Sequence, residues 1–278
     1  ECHVLPRHVS DMLMPLRAMI ASMSAPARMP QIEVALGDGV TVLVLRHLEP
    51  LTDNDLAVLR AFAAERDVQW WLQPKGPDTV HPLDPAHAET LAYALPEFNL
   101  RMPYRPTDFT QVNHAINRAL ISRALTLLDP QRTDRIADLF CGLGNFSLPL
   151  ARRGAQVLAV EGEKGLVQRA RENAERNGLD IRFEKADLFT TTGDENWLQP
   201  DFDKLLLDPP RAGAKEILPI IAKRKPKRIV YVSCHPGTLA RDAGMLVHEH
   251  GYTLARAGVM DMFPHTSHVE SMALFVRE

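Results

Sequence analysis

Cysteine is scarce in this chain. Cys2, Cys141 and Cys234 are the three it has in 278 residues, too few for a disulfide framework and spaced like no zinc ligand set. That scarcity points to a reducing, cytoplasmic setting. Long apolar runs are missing too. No stretch reaches the roughly eighteen apolar residues that a membrane-spanning helix needs, so no membrane partner is expected. No signal-peptide pattern is visible, and the chain starts at Glu1 without an initiator Met, which we read as a trimmed or truncated start. Charge of one sign is lacking as well. The net charge of −3 gives no support to a broad nucleic-acid surface. Residues 1–107 carry 9 basic and 13 acidic side chains, and the remainder 23 and 22. If RNA binds here, local clusters must do it: Arg152-Arg153, Lys223-Arg224-Lys225 and Lys227-Arg228. Each of these reads more readily as a solvated helix end. Internal repeats and low-complexity segments are absent. With 45% hydrophobic residues, the chain can bury one large core or two modest ones.

The first 107 residues read as a small mixed α/β unit. Val9 to Ser22 has helical spacing of apolar residues. Gln31 to Leu36 and Val40 to His47 alternate around Gly37-Asp38-Gly39, a hairpin signal. Thr52 and Asp55 open a helix that continues through Leu56 to Glu65. Val68 to Leu72 and Phe98 to Met102 have strand character, and Gln73 to Ala88 reads as loop. From Asp108 the grammar changes. A helix over 113–128 is followed by alternating elements: strand 135–139, helix 144–152, strand 156–160, helix 164–177, strands 181–185 and 203–207, helix 214–223, strand 228–232, helix 237–249. That alternation predicts a doubly wound, mostly parallel sheet over residues 108–278. Two last strands, near 252–260 and 269–276, lack a helix between them and predict an antiparallel hairpin at the sheet edge.

Three strand ends carry chemistry. The strand ending at Leu139 opens into Phe140-Cys141-Gly142-Leu143-Gly144-Asn145. Glycines there let backbone approach a ligand, and the following helix presents free N–H groups. Such a turn also serves dinucleotide enzymes and plain structural turns. Glu161, about twenty residues on at the end of the next strand, is placed to accept ribose hydroxyls. The third glycine of G-x-G-x-x-G is missing, which tilts the reading from a dinucleotide to S-adenosylmethionine. Asp187, past the third strand, suits a donor on adenine or, equally, a turn cap. A second strand ends in Asp208-Pro209-Pro210-Arg211, where two prolines stiffen the loop. Amino methyltransferases have a similar loop ending in an aromatic residue, and Arg211 stands here instead. The third strand, Ile229 to Val232, runs into Ser233-Cys234-His235-Pro236. Most free cysteines are small buried hydrophobes. A thiol spilled into a proline turn at the carboxyl end of a strand is placed to act as a nucleophile instead. The helix that starts at Pro236 is expected to lower its pKa.

At these residues the chain strongly resembles the bacterial RNA uracil-C5 methyltransferases, and among them the branch that acts on 23S ribosomal RNA. The matching pieces are DFTQVN (108–113), DLFCGLGNFSLPLA (138–151), VEG (160–162), LLLDPPRAGA (205–214), IVYVSCHPGTLARD (229–242) and MFPHTSHVES (262–271). The resemblance implies a class I S-adenosylmethionine-dependent methyltransferase fold, Rossmann-like, with the smaller mixed α/β domain before it. It implies a monomer that methylates C5 of a flipped or single-stranded uridine, with residues 1–107 as RNA contact or scaffold. By the same resemblance Gln111, Phe140, Asn145, Glu161, Asp187 and Asp208 contact the methyl donor. Cys234 matches the nucleophile and Glu270 the base, with His265 and His268 as rivals in the same loop. The family usually has Asn where this chain has His235. Nothing here resembles the family's initial β-barrel. Ribosomal members hold a 4Fe–4S cluster through four cysteines. Cys2 looks like the last of these, and since a cubane cluster needs four ligands, the expectation is a remnant ligand with no cluster. Two alternatives remain: an amino-group methyltransferase using the Asp208 loop with Cys234 inert, and a non-catalytic RNA-binding module with a relic cofactor pocket.

Overall fold

The computed structural model describes residues 5–199 and 201–277. Two compact units emerge, one running up to Ala94 with Arg101–Asp108 added, the other formed by Leu95–Leu100 and the residues from Phe109 onward.

The first unit begins with α1 (Arg7–Ala21), followed by β1 (Gln31–Gly37), β2 (Val40–Arg46), α2 (Asp53–Arg66), β3 (Gln69–Gln73) and β4 (His81–Pro82). These strands form one sheet in the order β1-β2-β3-β4. The hairpin lies where Gly39 supplies a positive φ of 73°. Thr52 and Asp55 cap α2 reciprocally, at 3.2 Å and 2.9 Å. Burial pushes the Asp55 carboxyl up, yet bonds from Ser24 and Thr52 outweigh it and hold the group down at about 2. Met12, Leu16 and Met19 of α1 join Leu43, Leu45, Leu59, Phe62 and Trp70 in the core. The stretch expected to be loop contributes β4, which pairs with β3. Two further strands, β5 (Ala92–Leu95) and β6 (Leu100–Pro103), make a small sheet. The expected strand from Phe98 starts two residues late, because Pro96–Phe98 form a 3₁₀ turn and Asn99 takes a φ of 49°.

The second unit runs α3 (His114–Leu128), β7 (Arg135–Leu139), α4 (Ser147–Arg152), β8 (Gln156–Glu161), α5 (Lys164–Arg176), β9 (Arg182–Lys185), β10 (Lys204–Leu207), α6 (Leu218–Ala222), β11 (Arg228–Ser233), α7 (Pro236–His248), β12 (Thr253–Met260) and β13 (Glu270–Val276). Its seven strands lie in the order β12-β13-β11-β10-β7-β8-β9. The five from β7 to β11 are parallel, and β13 and β12 close one side as an antiparallel hairpin. The strand order reverses between β7 and β10, the kind of switch point at which α/β sheets open a crevice. Strands buried on both faces read as continuous apolar runs, and β11 shows it. Ile229 and Tyr231 pack with α6 and α7, while Val230 and Val232 are equally buried on the other face. Two helices start later than their apolar spacing suggested. α4 begins at Ser147 because Gly144 holds a φ of 94°, and α6 begins at Leu218 after a turn.

Phe275 is fully buried in this core. Phe275→Ala is expected to lower stability by about 4 kcal/mol, read from the midpoint of chemical denaturation.

Candidate active site

Parallel register assembles the site. Leu139 stands beside Val160 on one side and Leu207 on the other, and Leu207 stands beside Tyr231. The chain therefore leaves β7, β8, β10 and β11 at one edge, carrying Phe140, Glu161, Asp208 and Cys234. The antiparallel strand β13 adds a fifth group. Ser233 pairs with Ser271, and the Ser271 hydroxyl donates to the Ser233 carbonyl at 2.8 Å. The residues next to this last pair are Cys234, just past β11, and Glu270, the first of β13, and Glu270 is close enough to act electrostatically on the Cys234 thiol.

The turn after β7 is wound tightly. Phe140 adopts a left-handed φ of 64°, Gly142 one of 55°. A Cβ built on Gly142 would meet nothing within 4 Å, so the backbone there borders open space. Glu161 holds the turn from below: its carboxylate accepts the Gly142 N–H at 3.0 Å and the Glu163 N–H at 2.9 Å. Each carboxylate oxygen has a second lone pair, so a ribose hydroxyl can still be accepted. Phe140 packs against Phe189 with ring centroids 5.7 Å apart, and Phe189 remains 39% exposed. Asn145 exchanges two amide hydrogen bonds with Asn117 of α3, at 3.0 and 2.9 Å. Asp187 is exposed and accepts the Phe189 N–H at 2.9 Å, a turn-capping bond. Gln111 is half-buried in the segment leading into α3. Cys2 lies outside the described residues. Among the described residues, no group of three or more His, Cys, Asp or Glu could hold a metal ion.

The electrostatics of the edge are dominated by acids. Asp138 is fully buried on β7. One of its oxygens accepts the Ser147 hydroxyl and the other has no partner. Burial pushes its carboxyl up to about 7, with the Glu161 charge adding to the rise. Burial likewise pushes Asp208 up to about 8, helped by Glu270 and Asp138. Glu270 is raised by burial and pulled back by His268. Cys234 corrects one expectation. Its thiol is raised, not lowered: burial comes first, then the charges of Glu270 and Asp208, with Arg211 opposing them. The amino end of α7 does not outweigh two nearby acids. His235, where the family usually has Asn, performs a cap. Its ring Nδ1 accepts the Thr238 N–H at 3.2 Å and so ends α7 beside the nucleophile. Cys141 is buried and its thiol pushed well up by that burial, in keeping with a packing role.

Sequence reading missed several members of this arrangement. Asn117, Asp138 and Ser147 were not singled out. Asp242 was missed as well, and it organises the Asp208 loop. Its buried carboxylate accepts the Ala214 N–H at 2.7 Å, the Tyr231 hydroxyl at 2.6 Å and Arg241 Nε at 2.7 Å. Arg241 also donates to the Ala212 carbonyl at 2.9 Å. Between them Gly213 takes a φ of 82°, and a Cβ there would lie 2.5 Å from Arg241. A signal was available: Asp242 shares the buried face of α7 with Leu239 and Leu246, and an acid on an apolar stripe calls for partners.

A family model described as tRNA (Uracil-5-)-methyltransferase matches residues 88–278. The chain belongs to this uracil-C5 methyltransferase family. Across 99% of its length it is 64% identical to a 23S rRNA (uracil(1939)-C(5))-methyltransferase RlmD of Bordetella avium, covering 59% of that relative. It is 56% identical to the RlmD of Chromobacterium violaceum, covering 55%. The chain thus spans rather more than half the length of the curated relatives it matches. In three dimensions it resembles a Pyrococcus abyssi tRNA (uracil-54, C5)-methyltransferase, solved in complex with S-adenosyl-L-homocysteine. The TM-score is 0.68 at 27% identity, over 85% of this chain and 56% of that one. The Rossmann-like fold expected from the sequence is therefore the fold of this methyltransferase-family chain.

Two measurements follow from the titrations. Alkylation of Cys234 in the free protein should have its midpoint above that of an ordinary thiol, and Glu270→Gln should move that midpoint down by removing a neighbouring negative charge. Asp208 binds its proton more tightly folded than unfolded. Stability should therefore fall as pH rises from the unfolded carboxyl value towards about 8, by at most about 1.4 kcal/mol per pH unit for this group. Asp208→Asn should flatten that slope in thermal melts between pH 5 and pH 8.

Proposed function

We propose that this chain forms the catalytic part of an S-adenosylmethionine-dependent enzyme. The reading is methyl transfer to C5 of a uridine in 23S ribosomal RNA, through a transient bond from Cys234 Sγ to C6. The observation that carries this reading is a half-buried thiol just past β11 beside a buried carboxyl that opens β13, at the edge of the sheet where the two strands end their pairing at Ser233 and Ser271.

The residues present fit the donor. The unpartnered oxygen of Asp138 and the raised acids around it suit a molecule that brings positive charge. Open space over Gly142 suits a ligand lying against backbone. Gln111, Phe140, Asn145, Glu161, Asp187 and Asp208 would hold it. S-adenosylmethionine, when bound, supplies an electrophilic methyl group and a positive charge that favours the thiolate of Cys234.

The rest is the work of this chain. C5 of uracil is a poor nucleophile. Addition of the Cys234 thiolate to C6 moves the ring electrons to C5 and makes it enolate-like, which divides one hard step into two easier ones. After C5 has been methylated it still carries a hydrogen. Glu270 takes that proton, the C5–H electron pair becomes the C5–C6 double bond, and the C6–S pair returns to sulfur. Burial raises the basicity of Glu270, which suits it to abstraction. Phe109 is 75% exposed and is a candidate to stack on a uridine drawn out of its strand. Arg211, exposed beside Cys234, is a candidate to grip a phosphate. The unit before Asp108 is assigned to RNA contact or scaffolding.

Mass spectrometry with methyl donor and RNA carrying 5-fluorouridine tests the reading. Fluorine cannot leave as a proton, so a covalent complex at Cys234 is expected to accumulate. Cys234→Ala should abolish both complex and methyl transfer. Transfer that survives Cys234→Ala would instead favour an amino-group methyltransferase, and no donor binding at all would favour a non-catalytic RNA-binding module.

A further inference from the structure

A buried base has a difficulty of its own: it must lose the proton it takes. Glu270 is 3% exposed, so water does not reach it freely. The titratable groups that face it are few. Cys234 and Asp208 lie on the pocket side. The Asp208 carboxyl already keeps its own proton to about 8, and the sulfur is the leaving group of the same step.

On the other side stands His268. Its Nε2 lies 3.7 Å from Glu270 Oε1, and its side chain is 29% exposed. One end of the ring therefore meets the buried carboxyl while the side chain still reaches solvent. The turn that carries it is organised around the ring. Phe263 contacts it edge-on, with centroids 4.5 Å apart and planes at 80°. Thr266 Oγ1 accepts the His268 backbone N–H at 3.1 Å and donates to the Phe263 carbonyl at 2.8 Å. His265, between them, is held at a φ of 68°, a conformation that costs a non-glycine residue energy.

We propose that His268 relays the proton from Glu270 to solvent after each elimination, and so sets how fast the base is regenerated. This rests on the reading of Glu270 as the base. The proton taken from C5 passes from the Glu270 carboxyl to Nε2, and the ring returns to neutral by releasing a proton from Nδ1 to water. The Nε2 lone pair takes the proton, the ring double bonds shift as Nδ1 loses its own, and proton exchange with water moves the hydrogen from Nε2 back to Nδ1 before the next turnover. Imidazole suits the task because its ordinary pKa lies near neutrality.

The test compares first and later turnovers with uridine RNA and methyl donor. In His268→Gln the first equivalent of product should form at the wild-type rate, because the relay acts only after Glu270 has taken its first proton. Later turnovers should slow by at least roughly tenfold, and added imidazole should restore them. Phe263→Leu keeps the imidazole but frees its ring, and should slow later turnovers to a smaller degree. It carries the test if thermal melts show His268→Gln to be misfolded. A steady-state rate unchanged in His268→Gln, or a slower first turnover that imidazole does not restore, overturns the relay. Glu270→Gln separates this from the reading beneath it. That variant should accumulate the methylated covalent complex without releasing it, and if it releases product normally the base assignment itself fails.

Discussion

The register between β11 and β13 is the constraint on which the rest of the site depends. Side chains alternate across a strand, so a slip of one residue would send Glu270 to the opposite face, away from the Cys234 turn. The register is secured at both ends. Seated deep in the core, Phe275 pairs with Ile229. At the open end the Ser271 hydroxyl closes on the Ser233 carbonyl. An antiparallel neighbour is needed for this. A parallel strand at that position would bring its own carboxyl end to the edge, whereas β13 arrives with its amino end and delivers Glu270 as its first residue.

That arrangement crowds acids around a thiol, and the consequences run through the site. Asp138, Asp208 and Glu270 each have carboxyls raised chiefly by burial. An isolated buried charge is costly, and a group in that position keeps its proton instead. Asp208, raised to about 8, therefore holds its proton at neutral pH in the free protein. A cationic ligand reverses the balance, because an opposite charge within a few ångströms favours ionisation. The same crowding explains why the start of α7 does not activate Cys234 by itself. A helix end contributes about half an elementary charge, and burial of the thiol, together with the acids Glu270 and Asp208 as they ionise, opposes it.

What the sequence disclosed and what it concealed divide along the range of the contacts. The strand ends at Leu139, Leu207 and Ser233 were legible, since apolar runs closed by glycine or proline are local signals. So was Glu161, through its spacing from the glycine turn, and so was the capping box of Thr52 and Asp55. The pairing of Asn117 with Asn145 spans 28 residues, and neither residue carries any local mark of the other. Asp138 looked like one polar letter in an apolar strand. The cap made by His235 was concealed for a different reason, since histidine is a less usual acceptor at that position than the Asn it replaces. The raised thiol of Cys234 was misread because a local feature, the helix start, was visible and the distant acids were not.

Helix α7 ties these strands of argument together. Its first turn follows the nucleophile, capped by His235, and its buried face carries Asp242, which fastens the loop bearing Asp208 and Arg211. One rigid element thus sets the distance between the thiol and the two groups of opposite sign that most affect it from that loop. Movement of the Asp208 loop without α7 would have to break the bond from the Ala214 N–H to the buried Asp242 carboxylate and the bond from Arg241 to the Ala212 carbonyl, and a buried carboxylate that loses a donor is costly. The Cys234 turn and the Asp208 loop therefore move as one body. Glu270 stands apart from them, held by the β11–β13 ladder. The base keeps its place through backbone pairing, while the nucleophile and its electrostatic neighbours keep theirs through a side chain. Loosening Asp242 disturbs the charge around the sulfur.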